Sequence, residues 1–96
     1  MSTENEQKIL ADVGRRIRAI RAEQSLNLDQ LARLTGISAP ALSLIETGKR
    51  DARLTTLAKI AMALRVPLST LLDDTPPGPG AKTKDALQGY DLGDYQ

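Results

Sequence analysis

The stretch LDQLARLTGISAPALSLIE, residues 28–46, decides the fold of this 96-residue chain. It reads as two short helices joined by a four-residue turn. Asn27 stands just before it as an N-cap, and Gln30 three residues later completes a capping box. That predicts a helix over residues 28–34, burying Leu31 and Ala32. Gly36 ends it, because glycine accepts the left-handed backbone that closes a helix. Ser38 caps the next helix, predicted over residues 39–46. Pro40 falls in its first turn, where a missing N–H costs nothing.

Working outward, Ile9, Val13, Ile17 and Ile20 recur at helical spacing, flanked by Leu10, with Arg15, Arg16, Arg18 and Arg21 on other faces. They predict a first helix over residues 6–24. Downstream, residues 47–53 form a polar loop holding Gly48, Lys49, Arg50, Asp51 and Arg53. Leu57, Ile60, Ala61 and Leu64 mark a fourth helix over residues 54–64, which ends before Val66-Pro67. Pro67 suits the first turn of a short fifth helix that buries Leu68, Leu71 and Leu72. No alternating strand pattern occurs, so the expected fold is all-α: five helices, a Pro/Gly linker at residues 75–80, and a short acidic tail. The expected divisions are a flexible N-terminus at 1–8, one domain at 9–73, and linker plus tail at 74–96.

Charge divides along the same boundary. Residues 1–72 hold eleven Lys/Arg against seven Asp/Glu, a net +4. Residues 73–96 hold Lys82 and Lys84 against Asp73, Asp74, Asp85, Asp91 and Asp94, a net −3. A basic domain with an acidic tail points weakly to a polyanionic partner for the domain.

The chain has no cysteine and no histidine, which removes thiol nucleophiles, disulfides, imidazole bases and the usual zinc ligands together. Asp73 and Asp74 are neighbours at a helix end, not an acid–base pair across a cleft. Gly78-Pro79-Gly80 belongs to the linker and makes no phosphate cradle. The expectation is a protein that is not an enzyme and uses no cofactor and no metal. No apolar run approaches the ~18 residues of a membrane span, and Glu4 and Glu6 make the N-terminus unlike a signal peptide. The expected location is cytoplasmic.

Two short helices around a glycine turn have helix-turn-helix geometry, in which the second helix enters the DNA major groove. A wider resemblance supports that. Residues 13–21 (VGRRIRAIR), Leu28-Asp29-Gln30-Leu31-Ala32, Thr35-Gly36-Ile37-Ser38, residues 42–50 (LSLIETGKR), residues 57–64 (LAKIAMAL) and Val66-Pro67-Leu68 resemble the Xre/Cro family of phage-repressor-like regulators, in register over about residues 9–72. The resemblance implies double-stranded DNA as partner and a homodimer on a two-fold operator, with helix five and Leu68, Leu71 and Leu72 as the best candidate dimer surface.

It also implies residue roles. Ala39, Pro40, Ser43 and Leu44 occupy the positions that face bases in the family. Relatives often carry Gln, Asn or Arg there, which bond purines in pairs. Ala39, Pro40 and Leu44 offer only apolar contact and Ser43 one hydrogen bond, so modest direct readout is expected, with DNA shape adding specificity. The alternative for Leu44 is a partly buried core side chain. Phosphate contacts are expected from Asn27, Ser38, Thr47, Lys49, Arg50 and Arg53, with Arg15 and Arg18 weaker candidates. Any one of these arginines read alone is a solvated surface charge; the loop cluster stands out because it follows the recognition helix. Relatives often carry a capping serine where Arg53 stands, which implies either a lost cap or an arginine traded for a phosphate contact. Arg21 and Glu46 are implied to form a partly buried ion pair.

Tyr90 and Tyr95, the only aromatic residues, lie in the tail. The tail reads either as a solvated disordered segment or as a docking segment for this domain, a dimer or another protein. An alternative function is a toxin-neutralising antitoxin of the HipB or HigA type that also autoregulates its operon, resembled by residues 48–57. A restriction–modification controller is a further regulatory variant compatible with the sequence.

Overall fold

The structure, a computed structural model, describes residues 3–73. Five helices follow one another: α1 (Thr3–Glu23), α2 (Leu28–Thr35), α3 (Ala39–Glu46), α4 (Leu54–Leu64) and α5 (Leu68–Leu72). No strand occurs among the described residues. No helix among them is long and apolar enough to cross a membrane. The linker at 75–80 and the tail with Tyr90 and Tyr95 lie outside the described residues.

The expected start of α1 is corrected. The helix begins at Thr3 rather than Glu6, so residues 3–8 are its first turns and not a separate N-terminal segment. Glu4 and Glu6 sit in the first turn, where the exposed N–H groups favour negative charge. One turn further, Lys8 Nζ binds Asp12 Oδ2 at 3.0 Å. These charges carry no apolar period, so hydrophobic spacing places the start too late. The Lys8 hydrogen bond holds the Asp12 carboxyl below its usual pKa. Its small stabilising effect is therefore present at neutral pH and fades as the pH falls through the carboxylate range.

The core takes a fully buried side chain from every helix: Ile17 from α1, Leu31 from α2, Leu42 from α3, Ile60 and Leu64 from α4, and Leu71 from α5. Truncating any of them to alanine costs about 2–5 kcal/mol, a large share of the ~5–15 kcal/mol a small domain has. The expectation for α5 is corrected in part. Leu71 is buried and Leu68 half-buried, but Leu72 is 48% exposed. Adjacent helical residues point about 100° apart, so Leu71 and Leu72 do not share a face. Ile9, at the far end of the α1 stripe, is likewise exposed.

One close approach sets how α1 meets α3. Gly14 is buried, and a Cβ there would overlap the carbonyl oxygens of Ile45 and Glu46. The helix backbones therefore touch at this point. Glycine in mid-helix ordinarily costs about 1 kcal/mol relative to alanine. Here that cost is outweighed by contact that no side chain permits. Further along, Gly48 turns the chain with φ 74° and packs its backbone beside Ala11. The expected outcome for Gly14→Ala is a loss of about 1–3 kcal/mol by urea unfolding, despite the better helix former, because α1 and α3 are forced apart. A variant as stable as the parent would show that the two helices have room to spare.

Candidate nucleic-acid interface

Helix α2 is fastened at both ends. Asn27 Oδ1 accepts from the Gln30 N–H at 2.7 Å, and Gln30 Oε1 accepts from the Asn27 N–H at 2.8 Å. This is the predicted capping box. At the other end Gly36 takes the left-handed conformation, φ 75°, and its N–H bonds the Ala32 carbonyl. Thr35 adds a tie the sequence does not announce. Its hydroxyl donates to the Leu31 carbonyl at 2.8 Å and accepts from the Ile37 N–H at 3.2 Å. Ser38 then caps α3, its Oγ accepting from the Ala41 N–H at 3.2 Å.

The opposite end of α3 is held by Arg21. Its Nε donates to Glu46 Oε2 at 2.7 Å and its Nη2 to Glu46 Oε1 at 3.0 Å. Its Nη1 donates to the Leu26 carbonyl at 2.8 Å. All three nitrogens are thus engaged, linking α1, the α1–α2 turn and α3. The side chains are 14% and 5% exposed. The bond to Glu46 raises the Arg21 pKa above its usual value, so the guanidinium stays charged. A carboxylate at a helix C-terminus faces the negative end of the dipole, and Arg21 offsets that repulsion.

The four candidate base-facing residues lie on one short helix. Pro40 and Leu44 are exposed; Ala39 and Ser43 are half-buried. Leu44, at 37% exposure, stands at the margin and is not a core side chain. The α3 N-terminus is a poorer anion site than its position implies. Pro40 has no N–H and the Ala41 N–H is taken by Ser38, which leaves Ala39 as the amide to offer.

The candidate phosphate ligands differ in what they have free. Lys49, Arg50 and Arg53 are exposed in the loop after α3. Asn27 is exposed with Oδ1 used in the cap, so its Nδ2 group is the donor it brings. Ser38 keeps its hydroxyl proton. Thr47 does not: Oγ1 donates to the Ser43 carbonyl at 2.9 Å. In this conformation it has only lone pairs to present, and a phosphate oxygen needs a donor. Arg53 stands at the N-cap of α4 with no side-chain cap bond, in line with the expected loss.

Three supporting residues escape the sequence pattern. Gln24 Nε2 donates to the Leu64 carbonyl at 2.6 Å and closes the C-terminal end of α4. Arg16 Nη1 donates to the Leu71 carbonyl at 3.1 Å and secures α5. Gly14 permits the α1–α3 contact. The available signals were a polar residue at the end of a helix and a glycine inside one.

A capped two-helix turn on a five-helix scaffold, with a basic loop after the second helix, defines a helix-turn-helix domain of the repressor type. The chain belongs to the helix-turn-helix family HTH_3, whose model matches residues 17–71. It is 42% identical over 60 residues to the HTH-type transcriptional repressor RghR of Bacillus subtilis (strain 168), covering 62% of this chain and 44% of that protein. The chain spans less than half the length of the curated relatives it matches. Among solved structures it is similar to the restriction-modification controller protein C.AhdI of Aeromonas hydrophila, at 31% identity and a TM-score of 0.63, covering 65% of this chain and 94% of that one. It is also similar to the DNA-binding domain of BldD, at 29% identity and a TM-score of 0.63, covering 76% and 100%.

Arg21→Ala is expected to cost about 3–5 kcal/mol by chemical denaturation, because it leaves Glu46 charged and nearly buried. The double change Arg21→Met with Glu46→Leu is expected to recover most of that loss. If Arg21→Ala left stability unchanged, the pair would have no part in fixing α3.

Proposed function

We propose that this chain is a sequence-specific regulator of transcription, a repressor, that binds double-stranded DNA as a homodimer on a two-fold operator. The observation that carries this reading is the junction of α3 with its loop. Ala39, Pro40, Ser43 and Leu44 lie on α3, and the exposed cations Lys49, Arg50 and Arg53 follow it in the next loop. In this arrangement α3 lies in the major groove while the loop and Asn27 hold the flanking phosphates. The names of RghR and of the BldD domain support the same reading. Phosphate neutralisation supplies most of the affinity. Thymine methyls against Ala39, Pro40 and Leu44, one bond from Ser43, and groove shape supply the specificity.

One α3 of eight residues reads only a half-site, so a two-fold dimer doubles both contact and affinity. Exposed apolar side chains support self-association. Ile9 is 56% and Leu72 48% exposed, and both line a cleft of about 100 Å³ together with Leu10, Val13 and Leu57. Of Leu68, Leu71 and Leu72, Leu71 serves the core and Leu68 packs partly against it, so Leu72 is the one most free to pair. We further propose the division into one domain that runs from α1 to residue 73 and a linker with tail at 74–96, and a cytoplasmic location.

Selection from a randomised duplex library at moderate salt, with mass measured on the bound complex, tests this reading. The expected result is one motif with two-fold symmetry carrying two chains. Salt-sensitive binding with no enriched motif would refute sequence-specific regulation. Arg53 offers a sharper check. Arg53→Ser is expected to raise stability by about 0.5–2 kcal/mol through a restored cap, while weakening DNA binding and lowering its salt slope by about one. Unchanged DNA affinity in that variant would take Arg53 out of the interface.

A further inference from the structure

On the side formed by α2 and α4 lies an apolar surface that neither the core nor the DNA reading uses. Leu34 is 59% exposed and Met62 77%, the most exposed large apolar side chain among the described residues. They line one shallow depression of about 420 Å³, together with Thr35, Lys59 and Ala63. No acidic residue lines it. Lys59 is exposed at its edge. Two further exposed cations adjoin it in sequence: Arg33 beside Leu34, and Arg65 three residues beyond Met62. An apolar floor with a basic margin suits an acidic segment that carries large apolar anchors.

The chain itself contains such a segment. Residues 87–95 read Leu-Gln-Gly-Tyr-Asp-Leu-Gly-Asp-Tyr, with four apolar anchors and two carboxylates. The described chain leaves α5 at Asp73, and Leu87 lies fourteen residues further on. Fourteen residues span up to about 46 Å when extended. That reach exceeds what is needed to return to α4, because α5 follows α4 after only three residues.

We propose that the acidic tail of this same chain docks in the Leu34–Met62 depression, placing Tyr90 and Leu92 against Leu34 and Met62 and its aspartates toward Lys59. A tyrosine ring gains from the Met62 thioether beyond simple burial. The negative tail meets an apolar depression whose lining holds Lys59 and no acidic residue. The tail thus covers an exposed apolar patch and leaves α3 and its loop clear. This proposal stands apart from the DNA reading.

The chain offers an unusually clean test. Tyr90 and Tyr95 are its only aromatic residues, and there is no Trp or Phe. Every nuclear Overhauser contact between an aromatic proton and a methyl group therefore reports the tail. The full chain is expected to show such contacts to the Met62 and Leu34 methyls, unchanged on tenfold dilution. Met62→Glu is expected to abolish them and to raise acrylamide quenching of tyrosine fluorescence to that of a free tyrosine peptide. Because Met62 lies outside the core, that variant should still unfold cooperatively, with the midpoint of a chain truncated at Pro76. Contacts to Ile9 or Leu72 instead, contacts that vanish on dilution because they come from a second copy, or no contacts at all would each overturn the proposal.

Discussion

The contact between α1 and the C-terminal end of α3 governs everything downstream. Gly14 lets the two backbones meet, and Arg21 grips the Glu46 carboxylate seven residues, two helical turns, further along α1. Both act on the same end of α3, so its distance and its rotation are fixed together. An eight-residue helix is not stable alone, because helices shorter than about 12–15 residues are marginal in water. Its direction in space is therefore borrowed from α1. The ion pair need not add net stability to do this. Burying two charges costs about what their attraction returns, but one geometry satisfies both and the alternatives do not.

From that constraint follows the character of the surface α3 presents. Its first turn is closed by Ser38 and Pro40, which consume or remove donors that an anion would otherwise meet. Its outward side chains are mostly apolar. Positive charge is supplied next door, by Lys49, Arg50 and Arg53 in a loop that Gly48 starts beside Ala11. The surface is divided: α3 presents mostly apolar side chains, and the loop presents positive charge. Arg53 shows the compromise at one position, holding the cap site of α4 without capping it.

Local chemistry made most of this legible. Asn27, Gln30, Gly36 and Ser38 announce helix ends through short-range bonds, and the structure contains each of them. The apolar stripes of α1 and α4 name the core because burial imposes the helical period. What escaped depends on partners far apart in sequence. Gln24 serves a carbonyl forty residues away and Arg16 one fifty-five away, and neither leaves a periodic trace. The start of α1 escaped because charge, not hydrophobicity, holds its first turns. Gly14 was visible in the sequence as a helix-interior glycine, but only the packed neighbour explains it. Arg21 and Glu46 came from family likeness, since no local rule pairs residues twenty-five apart.

The measurement that bears most directly on this account is a map of backbone amide shifts as a bound duplex is titrated into the labelled full chain. The account predicts perturbation at Asn27, across residues 38–44 and through the loop at 49–53, with α5 left quiet. Perturbation centred on α4 and α5, with residues 38–53 unmoved, would contradict it.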